Sequence, residues 1–251
     1  MNKPATPPTA TTAASSSAGA PVRAVLFDLD DTLWAIEPVL VRAENLLFDW
    51  MQANAPRVTQ HHSIASLRQR RLELMEREPA YRINLWALRH AVLTEVFQEH
   101  EEDHSRVDEA MALFSEARNA VTLFDDVLPA LQLLKQGLAL GTVSNGFADL
   151  KHIGLDGHFQ VSIAAHTFGR AKPDPSIFLA ACEALQVTPQ HTVYVGDDLM
   201  LDVQGAQQAG LRAVWMNRFE RELPPHVKPD AVCSNLHDLQ RWLAALESQA
   251  G

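Results

Sequence analysis

Cysteine is nearly absent: Cys182 and Cys233 are the only two in 251 residues and share no paired spacing. That argues against a disulfide framework and against a cysteine zinc site, and it fits a reduced, cytoplasmic setting. No apolar run approaches the roughly 20 residues needed to cross a bilayer. Residues 1–20 hold almost nothing but Ala, Ser, Thr and Pro, with no large apolar side chain after Met1. Without an apolar centre the segment is no secretory signal, and without burial to offset its ordering entropy it is expected to be a disordered tail. Positive charge is also short. Lys and Arg number 21 against 31 Asp and Glu, a net charge of −10, which argues against a nucleic-acid partner. One small phosphorylated ligand at a local positive site stays compatible with that balance. Lysine is missing altogether from residues 36–121.

What is present suits a soluble globular protein, with 47% apolar and 21% charged residues. The first strand signal is Val22–Phe27, and the next comparable run, Leu138–Val143, comes more than a hundred residues later. Gln160–Ala164, Thr192–Val195 and Arg212–Met216 follow at shorter intervals, with helical patterns at Pro175–Leu185 and Val203–Ala209 between them. Strands alternating with helices predict βαβ units and a parallel sheet covered on both faces. A simple crossover needs about a dozen residues, so something is inserted after the first strand. Apolar residues at three- and four-residue spacing in Val39–Met51 and Leu85–Phe97 make that insertion helical. Asp125–Gln136 reads as the core helix that leads into the second strand. The expected fold class is α/β, a Rossmann-like parallel sheet core (residues 21–35 and 122–251) with an inserted all-helical cap (36–121).

Four polar clusters punctuate this core. Asp28-Leu29-Asp30-Asp31-Thr32 ends the first strand, and Ser144-Asn145-Gly146 follows the second. Lys172-Pro173-Asp174-Pro175 precedes a helix, and Gly196-Asp197-Asp198 with Asp202 follows the strand ending at Val195. Any one of them would more often be a turn or a helix cap. Four in order, on one side of the predicted sheet, converge where open α/β sheets bind ligands, beyond the carboxyl ends of the strands.

With these motifs the sequence resembles the haloacid dehalogenase superfamily over residues 22–217, most weakly in the cap. The resemblance implies a phosphatase that needs Mg²⁺ and works through an aspartyl-phosphate. Asp28 would be the nucleophile, and Asp30 the acid that protonates the leaving oxygen and then activates water. Asp28 and Asp197 would ligate the metal by side chain and Asp30 by its carbonyl, a hard-oxygen set suited to Mg²⁺. Lys172 would face the phosphoryl oxygens and Asp28, Ser144 with Asn145 would hold the transferring group, and Asp202 and Thr32 would support from behind. Asp31 and Asp198 would either touch the metal or serve as loop or capping residues.

Other readings compete. Dehalogenases of this fold share the residue at Asp28 but lack an acid two positions on, because halide leaves without a proton. Phosphonatases use a cap lysine, and residues 36–121 have none. A receiver-type signalling module would be shorter and uncapped. A catalytically silent interaction protein should have lost one of Asp28, Asp30, Lys172 or Asp197. His100-Glu101-Glu102-Asp103-His104 matches the zinc motif H-E-x-x-H but lies in an acidic stretch without an apolar face, and His61-His62 is expected in an exposed turn.

Substrate choice falls to the cap. Trp34 is expected at the site mouth, and Arg42, Tyr81, Trp86, Arg89 and His90 have the chemistry to stack on a ring or pair with phosphate. Glu37–Glu44, Trp86–Arg89 and Phe168–Pro173 resemble bacterial phosphatases acting on flavin mononucleotide and on the ribityl-pyrimidine phosphate of riboflavin synthesis. A sugar- or nucleotide-phosphate phosphatase is the competing choice. The partners expected are a small phosphorylated metabolite and at most a second copy of the chain, as monomer or homodimer, with neither nucleic acid nor membrane.

Overall fold

The computed structural model describes residues 20–250, so the expected tail falls almost wholly outside the described residues. Six parallel strands form one sheet: β1 (Ala24–Phe27), β2 (Ala139–Ser144), β3 (Val161–Ala164), β4 (Thr192–Gly196), β5 (Arg212–Met216) and β6 (Ala231–Cys233). Their order is β3-β2-β1-β4-β5-β6. The chain therefore leaves β1 towards one edge, then crosses back to build the other half from β4, which makes the gap between β1 and β4 the switch point. The register there sets Phe27 beside Thr142 on one side and Val195 on the other. Alternation along the strands sends Val25, Phe27, Val193 and Val195 to one face and Leu26 and Tyr194 to the other.

Each face is covered by helices. On the first lie α6 (Val127–Leu134), α7 (Leu150–Ile153) and α11 (Leu236–Ala250); on the second, α8 (Ala165–Phe168), α9 (Pro175–Ala184) and α10 (Gly205–Gln208). Between β1 and α6 comes the helical cap: α1 (Ile36–Asn54), α2 (Pro56–His61), α3 (Ile64–Arg77), α4 (Leu85–Glu99) and α5 (Val107–Asn119). It has its own apolar centre, with Ala43, Leu47 and Met51 of α1 packed among Val92, Val96, Met111 and Phe114. Buried Glu44 on α1 accepts from Arg71 at 2.6 Å and Arg89 at 3.2 Å, and from Arg68 at 2.6 Å, tying α1 to α3 and α4. Arg89 also lies 3.7 Å above the Phe114 ring.

The two linkers pair with each other. Phe124 donates its backbone N–H to the Leu33 carbonyl at 3.1 Å, and Trp34 bridges Leu123. Packing also joins cap and core, with Phe147 of the core against the cap cluster and Ile83 of the cap against the cluster on the second face of the sheet. Two elements differ locally from the sequence pattern. The three-residue edge strand β6 is too short to show alternation. The helix expected at Val203–Ala209 instead starts as a π-helical turn over Leu199–Gln204, within which Asp202 is buried. Among the described residues no helix is long and apolar enough to cross a membrane.

Candidate active site

The loop after β1 is held by its own backbone. Asp28 donates its N–H to the Val195 carbonyl at 2.8 Å, which extends the β1–β4 pairing one residue past the strand. Leu33 then donates to the Leu29 carbonyl and Asp31 to the Trp34 carbonyl. Asp31 takes a left-handed φ of 56°, which short acidic residues tolerate. Its Oδ1 accepts from the N–H of Ile36 at 3.0 Å at the start of α1. Asp198 likewise caps its turn, accepting from Met200 and Leu201. Both act as capping residues.

The centre is Lys172. Its buried ammonium donates to Asp28 Oδ1 at 2.7 Å, Asp202 Oδ1 at 2.6 Å and the Tyr194 hydroxyl at 3.0 Å. Asn145 uses both ends of its amide on the Lys172 backbone, accepting from its N–H at 2.8 Å and donating to its carbonyl at 3.1 Å. Its side chain thus holds the main chain that carries Lys172. Asp202 is 1% exposed and also accepts from the Asp198 N–H at 2.9 Å. Gly196 makes that approach feasible, since a Cβ there would lie 2.3 Å from Asp202 Cγ. Ser144 is buried, and its Oγ accepts from the Gly146 N–H at 3.0 Å, which leaves its proton for another acceptor. Thr32 is fully buried with its hydroxyl unpartnered, while its carbonyl accepts from Arg218 at 2.8 Å.

Asp30 meets the cap. Its Oδ1 accepts from Trp34 Nε1 at 2.8 Å, and both carboxylate oxygens accept from Arg118 Nη2 at 2.7 Å. Arg118 sits in the last turn of α5 and is 2% exposed. Nothing in the sequence links it to Asp30, because a basic residue there reads as an ordinary helix C-terminal charge. Tyr194 was equally hidden among the apolar residues of its strand. Trp34 is fully buried and holds Asp30, so it does not stand at the mouth. The other cap candidates divide. Arg42 donates to the Ala117 and Ala120 carbonyls, and Arg89 is committed to Glu44. His90 pairs with Asp108 at 3.1 Å, and Tyr81 packs on the cap cluster. Trp86 is 37% exposed, with His90 stacked on one face at 5.3 Å.

Electrostatically the site is short of positive charge. Asp28, Asp197 and Asp202 bring carboxylate oxygens within 4.8 Å of one another, with Lys172 on the first and third and Arg221 on the second. Burial raises Asp28 well above the usual carboxyl range, against the pull of Lys172. Burial alone would lower Lys172, but Asp202 and Asp28 hold its ammonium above the ordinary lysine value. Asp197, paired to Arg221 at 3.0 Å, is raised to about 6, first by burial and then by the charge of Asp202. Crowded, partly buried oxygen donors with excess negative charge fit a hard divalent cation such as Mg²⁺.

The Asp197 shift has a definite sign in stability. Its folded value of about 6 exceeds the ordinary 3.8, so between these the native state keeps a proton that the unfolded chain has lost. The stability contribution is complete below the lower value and is lost as pH rises to the upper one. With chelator present, urea midpoints of native protein should therefore fall relative to Asp197→Asn between about pH 4 and pH 6 and level off above. A difference that stays flat across this window would show that Asp197 does not titrate there.

Comparison with known proteins agrees with this geometry. The chain is 29% identical over 227 residues to the 5-amino-6-(5-phospho-D-ribitylamino)uracil phosphatase YigB of Escherichia coli, covering 85% of this chain and 94% of that one. Among solved structures it resembles a 2-haloacid dehalogenase from Pseudomonas syringae, with TM-score 0.84 and 35% identity over 89% of this chain and 99% of the other. It also resembles a HAD phosphatase from Thermococcus onnurineus, with TM-score 0.65 and 28% identity over 88% and 98%. Residues 22–210 match the haloacid dehalogenase-like hydrolase family, and with the strand-end carboxylates gathered around Lys172 at the sheet's switch point, the chain belongs to that family.

Proposed function

We propose that the chain is a Mg²⁺-dependent phosphatase that hydrolyses a small phosphomonoester through an aspartyl-phosphate on Asp28. The observation that carries this is Asp28 at the switch point, 2.7 Å from the Lys172 ammonium, with a second carboxylate, Asp30, two residues on and separately anchored. Similarity to named phosphatases supports it.

Asp28 and Asp197, with the Asp30 carbonyl, would hold Mg²⁺, which when bound offsets negative charge between carboxylate and phosphoryl oxygens. Lys172 draws Asp28 into place and faces the phosphoryl oxygens, beside the Ser144 hydroxyl. The Asp28 carboxylate attacks phosphorus as the ester P–O bond breaks, and Asp30 delivers the proton that the leaving oxygen needs. Asp30 then takes a proton from water as that water attacks the aspartyl-phosphate, releasing phosphate and restoring both carboxyl groups. Asp202 and Asn145 position Lys172, while Arg118 and Trp34 position Asp30.

Turnover of a panel of phosphorylated metabolites, with Mg²⁺ and after chelation, tests the reading. Activity should require the metal, Asp28→Asn should retain less than about a thousandth of it, and acid quench should trap phosphate on native protein only. The likeness to a 2-haloacid dehalogenase makes a 2-haloacid the informative addition. Metal-independent release of halide, with no phosphate released from any ester, would overturn the proposal.

Positioning of Asp30 by Arg118 predicts a dependence on the leaving group. Arg118→Ala should lower kcat for an alkyl phosphate by about tenfold or more, within the range of acid–base catalysis. With nitrophenyl phosphate, whose leaving group needs no proton, formation of the phosphoenzyme should be nearly unaffected. Equal loss on both substrates would leave Arg118 a structural role only.

For the substrate we infer a flat-ringed phosphate, flavin mononucleotide or a ribityl-pyrimidine phosphate of riboflavin synthesis. The similarity to YigB and the free face of Trp86 support this. Trp86→Ala should raise KM for flavin mononucleotide far more than for a ringless phosphate, with kcat nearly unchanged, because stacking is lost equally in ground and transition states. The ratio of kcat/KM values for the two substrates decides it. An unchanged ratio removes Trp86 from recognition.

A further inference from the structure

The H-E-x-x-H run does not form a zinc helix. α4 ends at Glu99, His100 caps it, Glu101 turns left-handed at φ 53°, and His104 begins a separate 3₁₀ turn. His100 nevertheless has an imidazole partner. His62, expected in an exposed turn, is half-buried, and its Nε2 lies 3.1 Å from His100 Nε2. Glu99 completes a set whose ligand atoms all fall within 4.8 Å. We propose that His62, His100 and Glu99 form a binding site for a borderline divalent transition ion, of which Zn²⁺ is the representative, at the end of the cap remote from the catalytic carboxylates.

The geometry is that of a chelate. Two imidazole nitrogens at about 2.0–2.1 Å from a tetrahedral Zn²⁺ stand about 3.3–3.4 Å apart, so a few tenths of an ångström of ring movement convert the observed pair. Both rings are already oriented. His62 Nδ1 is 3.4 Å from the Ser66 hydroxyl in the first turn of α3, and His61 stacks on His100 with centroids 4.6 Å apart and planes within 5°. Bonding of the non-ligating nitrogen is the usual outer support of a metal-bound histidine. Glu99 gives one oxygen to Arg70 at 2.5 Å, which leaves the other for the ion. Two imidazoles and one carboxylate make a softer donor set than the all-oxygen catalytic cluster, so the two sites sort different ions.

Access and placement also fit. His62 and Glu99 line an open groove of about 1120 Å³ between α3 and α4. The 19 residues of α1 carry the chain about 28 Å from the linkers before α2 begins. An ion here cross-links the α2–α3 junction to the end of α4 and touches none of the residues assigned to catalysis. Its effect is on the stability of the cap.

Titration of the native protein with Zn²⁺, in millimolar Mg²⁺ to occupy the catalytic carboxylates, tests the site. Calorimetry should find one Zn²⁺ that His62→Ala and His100→Ala each weaken at least tenfold, with Glu99→Gln weakened less. Zn²⁺ should raise the Tm of the native protein by several degrees and that of the histidine variants hardly at all. Phosphatase turnover of the variants in Mg²⁺ alone reports that they fold. On native protein, imidazole resonances of His62 and His100 should shift with Zn²⁺ while that of His104 should not. Equal affinity in native and variant proteins, or resonances unmoved by Zn²⁺, would show a plain N–H···N hydrogen bond and overturn the site.

Discussion

One buried ammonium fixes the relative positions of three strand ends. Lys172 reaches Asp28 after β1 and Asp202 and Tyr194 from the β4 segment, and the Tyr194 hydroxyl passes the contact on to the Val143 carbonyl of β2 at 2.9 Å. Such an arrangement is stable only while all its members are present. Removing one partner of a buried pair commonly costs about 3–5 kcal/mol, because the remaining charge stays in a medium that solvates it poorly. The surroundings follow from this requirement. Asn145 fixes the main chain that carries the lysine, Gly196 leaves room for Asp202, and the π-helical turn after Asp198 faces that carboxylate inward.

Asp30 is held by a different group, and the separation matters chemically. A carboxylate that shared Lys172 with Asp28 could not move protons independently of it. Asp30 instead takes its bonds from Trp34 on its own loop and from Arg118 at the foot of the cap. Gly146 keeps this junction tight, since a Cβ there would meet Asp30 Oδ2 at 3.0 Å and Arg118 Nη2 at 3.4 Å. Arg118 lies one helical turn from the linker that pairs with the chain leaving β1. The orientation of the cap and the orientation of Asp30 are therefore one mechanical variable.

The sheet was legible because its strands are buried on both faces and read as apolar runs, and because polar residues at their ends stand out against that background. The inserted helices were legible from their period and from the excessive length of the first crossover. What stayed hidden depends on pairing across long separations. Arg118 and Asp30 are 88 positions apart, and Lys172 and Asp28 are 144; only the second pair belonged to a recognisable motif. Cap residues are hard to assign for the opposite reason. Arg42, Arg89 and His90 have side chains suited to ligands, but a helical bundle rich in arginine also needs partners for its own carbonyls and carboxylates, and the structure gives them those. Trp34 is expected at the mouth because it lies just beyond the Asp28–Thr32 cluster; the structure buries it, and its indole N–H donates to Asp30.

Fold similarity by itself does not separate the two chemistries this family runs. A 2-haloacid dehalogenase superposes with a TM-score of 0.84, against 0.65 for a HAD phosphatase, yet the decisive difference is local. Displacing halide calls for a carboxylate nucleophile and an apolar berth for a leaving ion that needs no proton. Hydrolysing a phosphate ester calls for an acid at the leaving oxygen and for positive charge to let one anion approach another. This chain has a second carboxylate two residues on, anchored by two donors, and it crowds Asp28, Asp197 and Asp202 beside Lys172 and Arg221, a set of oxygen donors that suits a bound cation. A dehalogenase would gain nothing from either feature and would bear the electrostatic penalty of both. The charge balance at the end of β1 and β4, more than the shape of the sheet that bears it, is what assigns the reaction.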